Sequence, residues 1–406
     1  MTEDTNGWNV PTSKLSQVCL RLTGISTTNY RVFLIRTSLM IMTSVQAIIS
    51  LCIHWNDGPE EVFRIANDVN AIVYGTSVAI TFAYFNKHIT DLFSMLHRGL
   101  FQYSLPLCQE QHTAKDAAMK RIKRIERIFN ISSVLGTVFF FLSPMAFGIA
   151  TFVTGSKRRL PLPLSPWYPF TIDSIYLYLV LYLFEFSICV TIVIYHISWQ
   201  TSLYSAIICL QGEMKMLVIA FQRIDGNASV MAARDRVTRP GKAPVLRSIQ
   251  YYKEQCLKEC IQHHQMIIKC VSTLNGAFKI TIFEYLQCAT FIFCLNAMRL
   301  TLEPVAISVH TVTSVGEITP VLLQLFLICF FGQLLRNEDD QVREAFYGCG
   351  WPDQTKRFKQ MLYIILTRCK KPLCLSGGLY TVDMRTYSQI LQAAYSYLNF
   401  LLSTHQ

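Results

Sequence analysis

Cys256, Cys260, His263 and His264 stand at one-turn spacing, and thiolates with imidazoles are the donors zinc prefers. All four fall on one predicted helix. Four ligands from a single helix do not surround an ion tetrahedrally, so the pattern reads more simply as one face of a bundle helix, and no metal or other cofactor is expected. There is no Gly-rich phosphate loop, no Ser-His-Asp set and no paired catalytic carboxylates, so the chain is not expected to be an enzyme. Three further sets lie in apolar surroundings, where ionisable groups are costly and tend to mark cavities. They are Tyr178, Tyr182 and Glu185; His310, Ser314 and Glu317; and Asn67, Asn70 and Tyr74. Each set shares a helix face. Facing one another, they could line a small-molecule pocket with aromatic walls and a few polar groups. As an alternative, they are interhelical hydrogen bonds that hold a bundle together. The pocket candidates are Asn70, Tyr74, Met145, Tyr178, Tyr182, Glu185, His310 and Ser314, with Met145 taken from an apolar stretch that is otherwise uninformative.

The elements that must position these residues are set by composition. The chain has 406 residues, 51% apolar and 16% charged, whereas roughly a quarter are charged in soluble proteins. Its mean hydropathy is +0.31. A spanning helix needs about 20 mostly apolar residues. Residues 31–53, 68–86, 129–153, 174–198, 277–298, 305–335 and 379–402 qualify, which predicts an all-α protein with seven transmembrane helices. The second block is the most polar, with Asn67, Asp68 and Asn70 at one end.

Basic residues gather on the cytoplasmic flanks of spans. With the N-terminus inside, the inner segments hold 28 Lys and Arg and the outer ones 5. This predicts an N-terminus inside and a C-terminus outside. Lys157, Arg158 and Arg159 disagree, on an outer loop whose four prolines suggest a stiff, exposed cap. The orientation is opposite to that of a G-protein-coupled receptor, and the Asp-Arg-Tyr and Asn-Pro-x-x-Tyr marks of that family are missing. The net charge of +11 is read as this membrane asymmetry rather than as a nucleic-acid footprint. The first thirty residues have no apolar core, so no signal peptide is expected. Most of the fourteen cysteines then fall in spans or inner loops, where thiols stay reduced. Only Cys52 and Cys294 lie near outer helix ends, and nothing in a sequence brings them to bonding distance.

The inner segments read as a folded module. Thr113 and Asp116 resemble a capping box, followed by a basic amphipathic helix that carries Ile122, Ile125 and Phe129 into the third span. Residues 233–244, broken by Pro240, Gly241 and Pro244, read as a flexible linker, and 245–276 as helix feeding the fifth span. The sixth block, at 1.5 Å per residue, is about 46 Å long and overshoots a core of about 30 Å. After Trp351-Pro352, Asp353 can cap a helix that puts Phe358, Met361, Leu362, Ile365, Leu366 and Cys369 on one stripe. That stripe is expected to pack on inner extensions of spans four, five and six. The expected organisation is a cytoplasmic N-terminus over 1–30, helices one to six with the pocket over 31–335, an anchor segment over 336–378, and the last helix with an outer C-terminus over 379–406.

Residues 330–402, about a fifth of the chain, resemble the C-terminal signature of insect odorant receptors. The run has Phe331-Gly332, then Ala345, Tyr347 and Trp351, Arg368 with Pro372, Gly377-Gly378, and Tyr395-Ser396-Tyr397 in the last span. The resemblance implies an inverted seven-helix subunit of a tetrameric cation channel in the plasma membrane of an olfactory neuron's dendrite. The last helix would line the pore, and a small volatile odorant would bind among spans two, three, four and six. Spans four to six and the short helix before span seven would form the anchor, here with Tyr347, Trp351, Phe358, Leu362 and Ile365. By position, the gate would fall on Tyr397, Phe400 and Thr404. The chain lacks the extra inner insertion of the longer shared co-receptor. It therefore resembles a ligand-tuning subunit that forms a heterotetramer with that co-receptor in the lipid bilayer and passes cations. Gustatory receptors are the runner-up resemblance.

Overall fold

The computed structural model describes residues 30–153, 162–164, 166–170, 172, 174–238, 248–302 and 309–404. The described chain is almost entirely helical, as expected. Its helices are α1 (Tyr30–Ile53), α2 (Pro59–Tyr84), α3 (Asn86–Arg98), α4 (Gln109–Val153), α5 (Ile175–Gln222), α6 (Ile224–Thr238), α7 (Ile249–Leu302), α8 (Val309–Tyr347), α9 (Lys356–Cys369) and α10 (Met384–Thr404). Each of the seven apolar blocks falls mainly on a helix, but 379–383 are not helical, so α10 starts at Met384 rather than at 379, and 305–308 lie outside the described residues. Among the described residues, four stretches are long and apolar enough to cross a membrane: Arg31–Ile53, Ile175–Gln222, Ile249–Arg299 and Ser314–Tyr347. At 48 and 54 residues, α5 and α7 run about 72 and 81 Å, more than twice a hydrocarbon core. Their excess length makes a second helical layer at one end of the bundle, called here the extended end.

α5 and α7 form the centre. α5 packs on α4 and α8, and α7 on α2, α3, α6 and α8. From Ile197 to Met214 every residue of α5 is buried, whatever its polarity. A helix covered on all sides must satisfy its polar groups internally. The Ser198 and Ser202 hydroxyls donate to the carbonyls four residues back, both at 2.7 Å, and the Ser205 hydroxyl donates to Glu126 of α4 at 3.1 Å. Trp199, Tyr204, Phe278, Phe331 and Phe346 fill the core around them.

Several boundaries differ from those expected, each for a local reason. α2 begins at Pro59, with proline in the first turn, and stops at Phe85, where α3 starts. α4 begins at Gln109, not at Thr113. The Cys108 N–H donates to the Gln111 side chain at 3.0 Å, which is the glutamine half of a capping box, while Thr113 bonds back to Glu110 within the first turns. The linker expected at 233–244 is helical up to Thr238, because Ala233 to Thr238 contains no breaker; 239–247 lie outside the described residues. Thr355, not Asp353, caps α9, its oxygen accepting the Phe358 N–H at 3.1 Å, and Asp353 belongs to a 3-10 turn over Trp351–Asp353. α8 continues through 335 to Tyr347. The proline-rich segment is tucked in over Pro163, Leu164 and Pro166, which are buried, and exposed at Pro169 and Phe170; Lys157, Arg158, Arg159 and Pro161 lie outside the described residues. Cys52 and Cys294 are free thiols.

The stripe on α9 behaves as its spacing predicts. Phe358, Leu362, Ile365 and Cys369 are buried, and the helix packs on α7 and α8. Of the other anchor candidates, Tyr347 stays 68% exposed and Trp351 40%, so neither contributes to this core. The chain then returns through β1 (Ser376–Gly377) and β2 (Tyr380–Thr381), an antiparallel pair with Ser376 opposite Thr381. The two-residue turn puts Gly378 at φ 66°, which a glycine adopts without strain. Asn275 of α7 grips the hairpin, donating to the Cys374 carbonyl at 3.0 Å and accepting the Ser376 N–H at 2.9 Å. Asp383 caps α10 by accepting the Thr386 N–H at 3.0 Å and pairs with Arg336 of α8 at 3.2 Å.

Candidate functional site

The pocket candidates sit at the end of the bundle opposite the extended layer, and they fall into three groups. On α5, Tyr178 and Tyr182 are tilted neighbours with ring centroids 5.8 Å apart, both half-buried. One turn on, Glu185 is fully buried, and its carboxylate is occupied by the proline-rich segment. It accepts the Leu164 N–H at 2.9 Å and the Tyr168 hydroxyl at 3.0 Å. The Trp167 N–H donates to the Gln46 carbonyl of α1 at 3.2 Å, so the segment is pinned from both sides.

The second group joins α2, α7 and α8. Asn67 donates to Glu317 at 2.6 Å, and the buried Arg299 lies 3.8 Å from the same carboxylate. Ser314, one turn from Glu317, is 1% exposed, and its hydroxyl has no partner among the described residues. The third group lies deeper. Asn70 donates to the Cys288 carbonyl of α7 at 3.1 Å. The Tyr74 hydroxyl is 3.3 Å from His196 Nδ1, and its ring is 6.0 Å from those of both His196 and Tyr285. His196 Nε2 meets Gln324 of α8 at 2.9 Å, and the Tyr285 hydroxyl donates to the Val321 carbonyl at 3.1 Å. One polar junction therefore ties α2, α5, α7 and α8 together.

Of the three expected faces, the structure brings those of α2 and α8 together through Asn67 and Glu317. Glu185 instead turns to the 162–170 segment, and Asn70 and Tyr74 to α7 and α5. The side chains of Met145 and His310 lie outside the described residues. Sequence reasoning missed His196, Tyr285, Gln324 and Arg299. His196 had a readable signal: it is an imidazole inside an apolar span, with Gln200 one turn away.

The described gate candidates, Tyr397 and Phe400, stand on the exposed outer part of α10. This helix packs on α7 and α8 through Thr386 and Ala394. Tyr397, three turns beyond Thr386 on the same line, is 58% exposed and Phe400 62%, with ring centroids 6.5 Å apart; the Thr404 side chain lies outside the described residues. Ser388, Gln392, Ser396, Asn399 and Ser403 form an exposed polar stripe along the uncovered side.

At the extended end, Cys260 is buried, and Cys256, His263 and His264 point to separate neighbours. Cys256 Sγ meets Met231 Sδ at 3.5 Å, and burial pushes its thiol up to about 12. His263 is held between Glu213, at 2.8 Å, and the Tyr103 hydroxyl, at 2.7 Å, with Phe101 stacked on its ring. His264 meets the Phe346 ring edge-on, and burial, aided by Arg368, lowers its pKa to about 4. Buried thiols held protonated are poor zinc donors.

These elements define an all-helical membrane protein with polar junctions inside its bundle and a last helix left half uncovered. A family model described as the 7tm odorant receptor matches residues 69–395, and the chain belongs to this insect odorant receptor family. It is 27% identical over 147 residues to the odorant receptor coreceptor of Aedes aegypti, covering 36% of this chain and 30% of that one. To odorant receptor 2a of Drosophila melanogaster it is 26% identical over 201 residues, covering 48% of each. The chain thus spans about a third to a half of the length of these curated relatives. The insect olfactory receptor OR5 from Machilis hrabei shares the fold over 98% of this chain and 95% of that one, with TM-score 0.73 and 16% identity. Its structure in complex with eugenol gives TM-score 0.75 at 15% identity.

Proposed function

We propose that this chain is the ligand-tuning subunit of an odorant-gated cation channel that opens in a heterotetramer with the odorant co-receptor. The observation that carries the reading is the uncovered side of α10. A helix packed on α7 and α8 through one side, with Ser388, Gln392, Ser396, Asn399 and Ser403 along the other, needs water or a further polar surface there, because polar groups facing hydrocarbon are costly. Four such helices around an axis supply both. Phe400 flanks the stripe and, with Tyr397 beside it, forms the gate, closing the path by dewetting, with Thr404 beyond them. The basic excess supports an orientation with the N-terminus and the extended end in the cytoplasm of the olfactory neuron and the C-terminus outside.

The odorant site lies among Asn70, Tyr74, Met145, Tyr178, Tyr182, Glu185, His310 and Ser314. The half-buried tyrosine pair and the Ser314 hydroxyl suit a small aromatic or oxygenated molecule, and the eugenol-bound relative supports that class. Binding shifts the pore only by favouring its open arrangement over the closed one. The test is to express the chain with and without the co-receptor, record currents to an odorant panel, and read glycosylation of the Asn227-Ala228-Ser229 sequon. Odorant currents only on co-expression, with Asn227 bare, are expected. Glycosylated Asn227 would invert the orientation. Unchanged odorant potency in Tyr178→Ala, Tyr182→Ala and Ser314→Ala channels at normal surface density would remove the pocket.

A further inference from the structure

α4 enters the bundle from the extended end with two unlike faces. Its inward face is committed to α5. Ile122 and Phe129 are buried, and Glu126, 2% exposed, takes the Ser205 hydroxyl. Arg121 donates to Gln211 at 3.2 Å, with its guanidinium 5.9 Å from the centroid of the Phe331 ring. The outward face carries Lys120, Lys123, Arg124 and Arg127, all exposed. Their i, i+3, i+4, i+7 spacing puts four cations on one line about 10 Å long. Among the described residues none of the four forms an ion pair, and the acid on that face is the exposed Asp116, one turn before Lys120. On the same line, immediately beyond Arg127, the surface turns apolar, with Ile128 61% and Ile131 54% exposed. An outward helix face that changes from cationic to apolar within one turn marks the depth at which lipid headgroups meet hydrocarbon.

We propose that Lys120, Lys123, Arg124 and Arg127 form a binding site for a polyanionic lipid headgroup, a phosphorylated inositol lipid of the adjoining leaflet. Charge complementarity selects it. Four unpaired cations within two turns match several phosphates on one headgroup, whereas a singly charged lipid leaves most of them unmet. Ile128 and Ile131 lie where the lipid's acyl chains begin. Arg121, interleaved with the stripe, reaches Phe331 beside Gly332, so a lipid seated here bears on the part of α8 that contacts the hairpin leading into α10. The inference uses the proposed orientation only to say that the cytoplasmic leaflet supplies the lipid. Binding is measured without any current, so it and the channel reading can fail separately.

The test uses the full chain purified in detergent, with fluorescent short-chain phosphatidylinositol 4,5-bisphosphate as the probe. Unlabelled phosphatidylserine and soluble inositol trisphosphate are the competitors. Saturable binding is expected, displaced poorly by either competitor. In Lys120→Gln/Lys123→Gln/Arg124→Gln/Arg127→Gln it should weaken at least tenfold, since each cation near an anionic surface is worth about fivefold. The charge-keeping exchange Lys120→Arg/Lys123→Arg/Arg124→Lys/Arg127→Lys should bind within about threefold of wild type, as should Lys370→Gln/Lys371→Gln on a different surface. Comparable elution profiles in size-exclusion chromatography establish that the variants fold; if the glutamine variant aggregates, loss of binding in the paired variants Lys120→Gln/Arg124→Gln and Lys123→Gln/Arg127→Gln decides. Wild-type affinity in the neutralised chains overturns the proposal. So does equal competition by phosphatidylserine, which would reduce the stripe to general surface charge, or by soluble inositol trisphosphate, which would make it a site for a free anion.

Discussion

Gly332 is where α8 meets the hairpin, and an alanine there has a worked cost. A Cβ on Gly332 falls 1.9 Å from the Val382 carbonyl oxygen and 2.9 Å from its carbon. A carbon–oxygen approach is comfortable at about 3.3 Å, so the obstructing backbone must retreat by roughly 1.4 Å. It is not free to do so: the Val382 N–H donates to the Leu375 carbonyl at 2.9 Å, and the next residue, Asp383, holds both Arg336 and the start of α10. Overpacking of this kind costs about 1–3 kcal/mol and a lost hydrogen bond about 1 more, against a helix-propensity gain of about 1 for alanine over glycine. Gly332→Ala is therefore expected to be destabilised by about 1–3 kcal/mol. Gly226 in α6 supplies the reference: nothing lies within 4 Å of its Cβ position, so Gly226→Ala keeps the propensity gain alone and is stabilised by up to about 1 kcal/mol. The assay is the melting temperature of each full-length variant by fluorescence-detected size exclusion in one detergent. Gly332→Ala should melt below wild type and Gly226→Ala at or above it. If both variants rise together, helix propensity alone governs the site, and the close approach of Val382 has no energetic meaning.

Three further perturbations test other parts of the molecule. His264 has a folded pKa near 4 against an ordinary 6.5. The unfolded chain therefore binds the extra proton between those values: the contribution is intact above pH 6.5 and lost as the pH falls through the window, by about 2 kcal/mol at pH 5. Melting curves at pH 7.5 and 5 should differ less for His264→Phe than for wild type, and equal differences would contradict the assignment. In α9, Phe358→Ala removes a ring that is 2% exposed and should cost about 3–5 kcal/mol. Tyr363→Ala, at a position 73% exposed, should stay within about 0.5 of wild type, and similar melting points for the two would deny that the stripe packs. Glu185→Ala strands the buried Leu164 N–H, at about 1–3 kcal/mol, and should speed protease cleavage within 162–170. Glu185→Gln, which keeps an acceptor oxygen, should be cut more slowly than the alanine variant.

The parts of this fold that were legible in the sequence are those where one solvent dictates the answer. A bilayer demands long apolar helices, so the seven blocks could be read from hydropathy. A short helix with one apolar stripe needs a cover, so Phe358, Leu362 and Ile365 could be assigned to a core before their partners were known. Pairing inside the bundle carries no such rule. Asn70 meets a backbone carbonyl of α7, Tyr74 an imidazole of α5, and Glu185 an N–H of the proline-rich segment. Spacing along one helix shows which groups share a face but not which helix that face meets, and in lipid nearly any polar group is an acceptable partner for any other. Short-range ends failed for a related reason. Thr113 and Asp353 are good caps in isolation, yet Gln111 and Thr355 close the helices because the chain reaches α5 and Glu254 from those positions. α10 differs from the rest. Its sequence is amphipathic, with Tyr387, Ile390, Leu391 and Ala394 on the side that meets the bundle and serines and amides opposite, but that pattern alone does not say what covers the polar side. That side is a line that hydrocarbon would not accept. In the channel proposed above, water and the same stripe on neighbouring copies would cover that line.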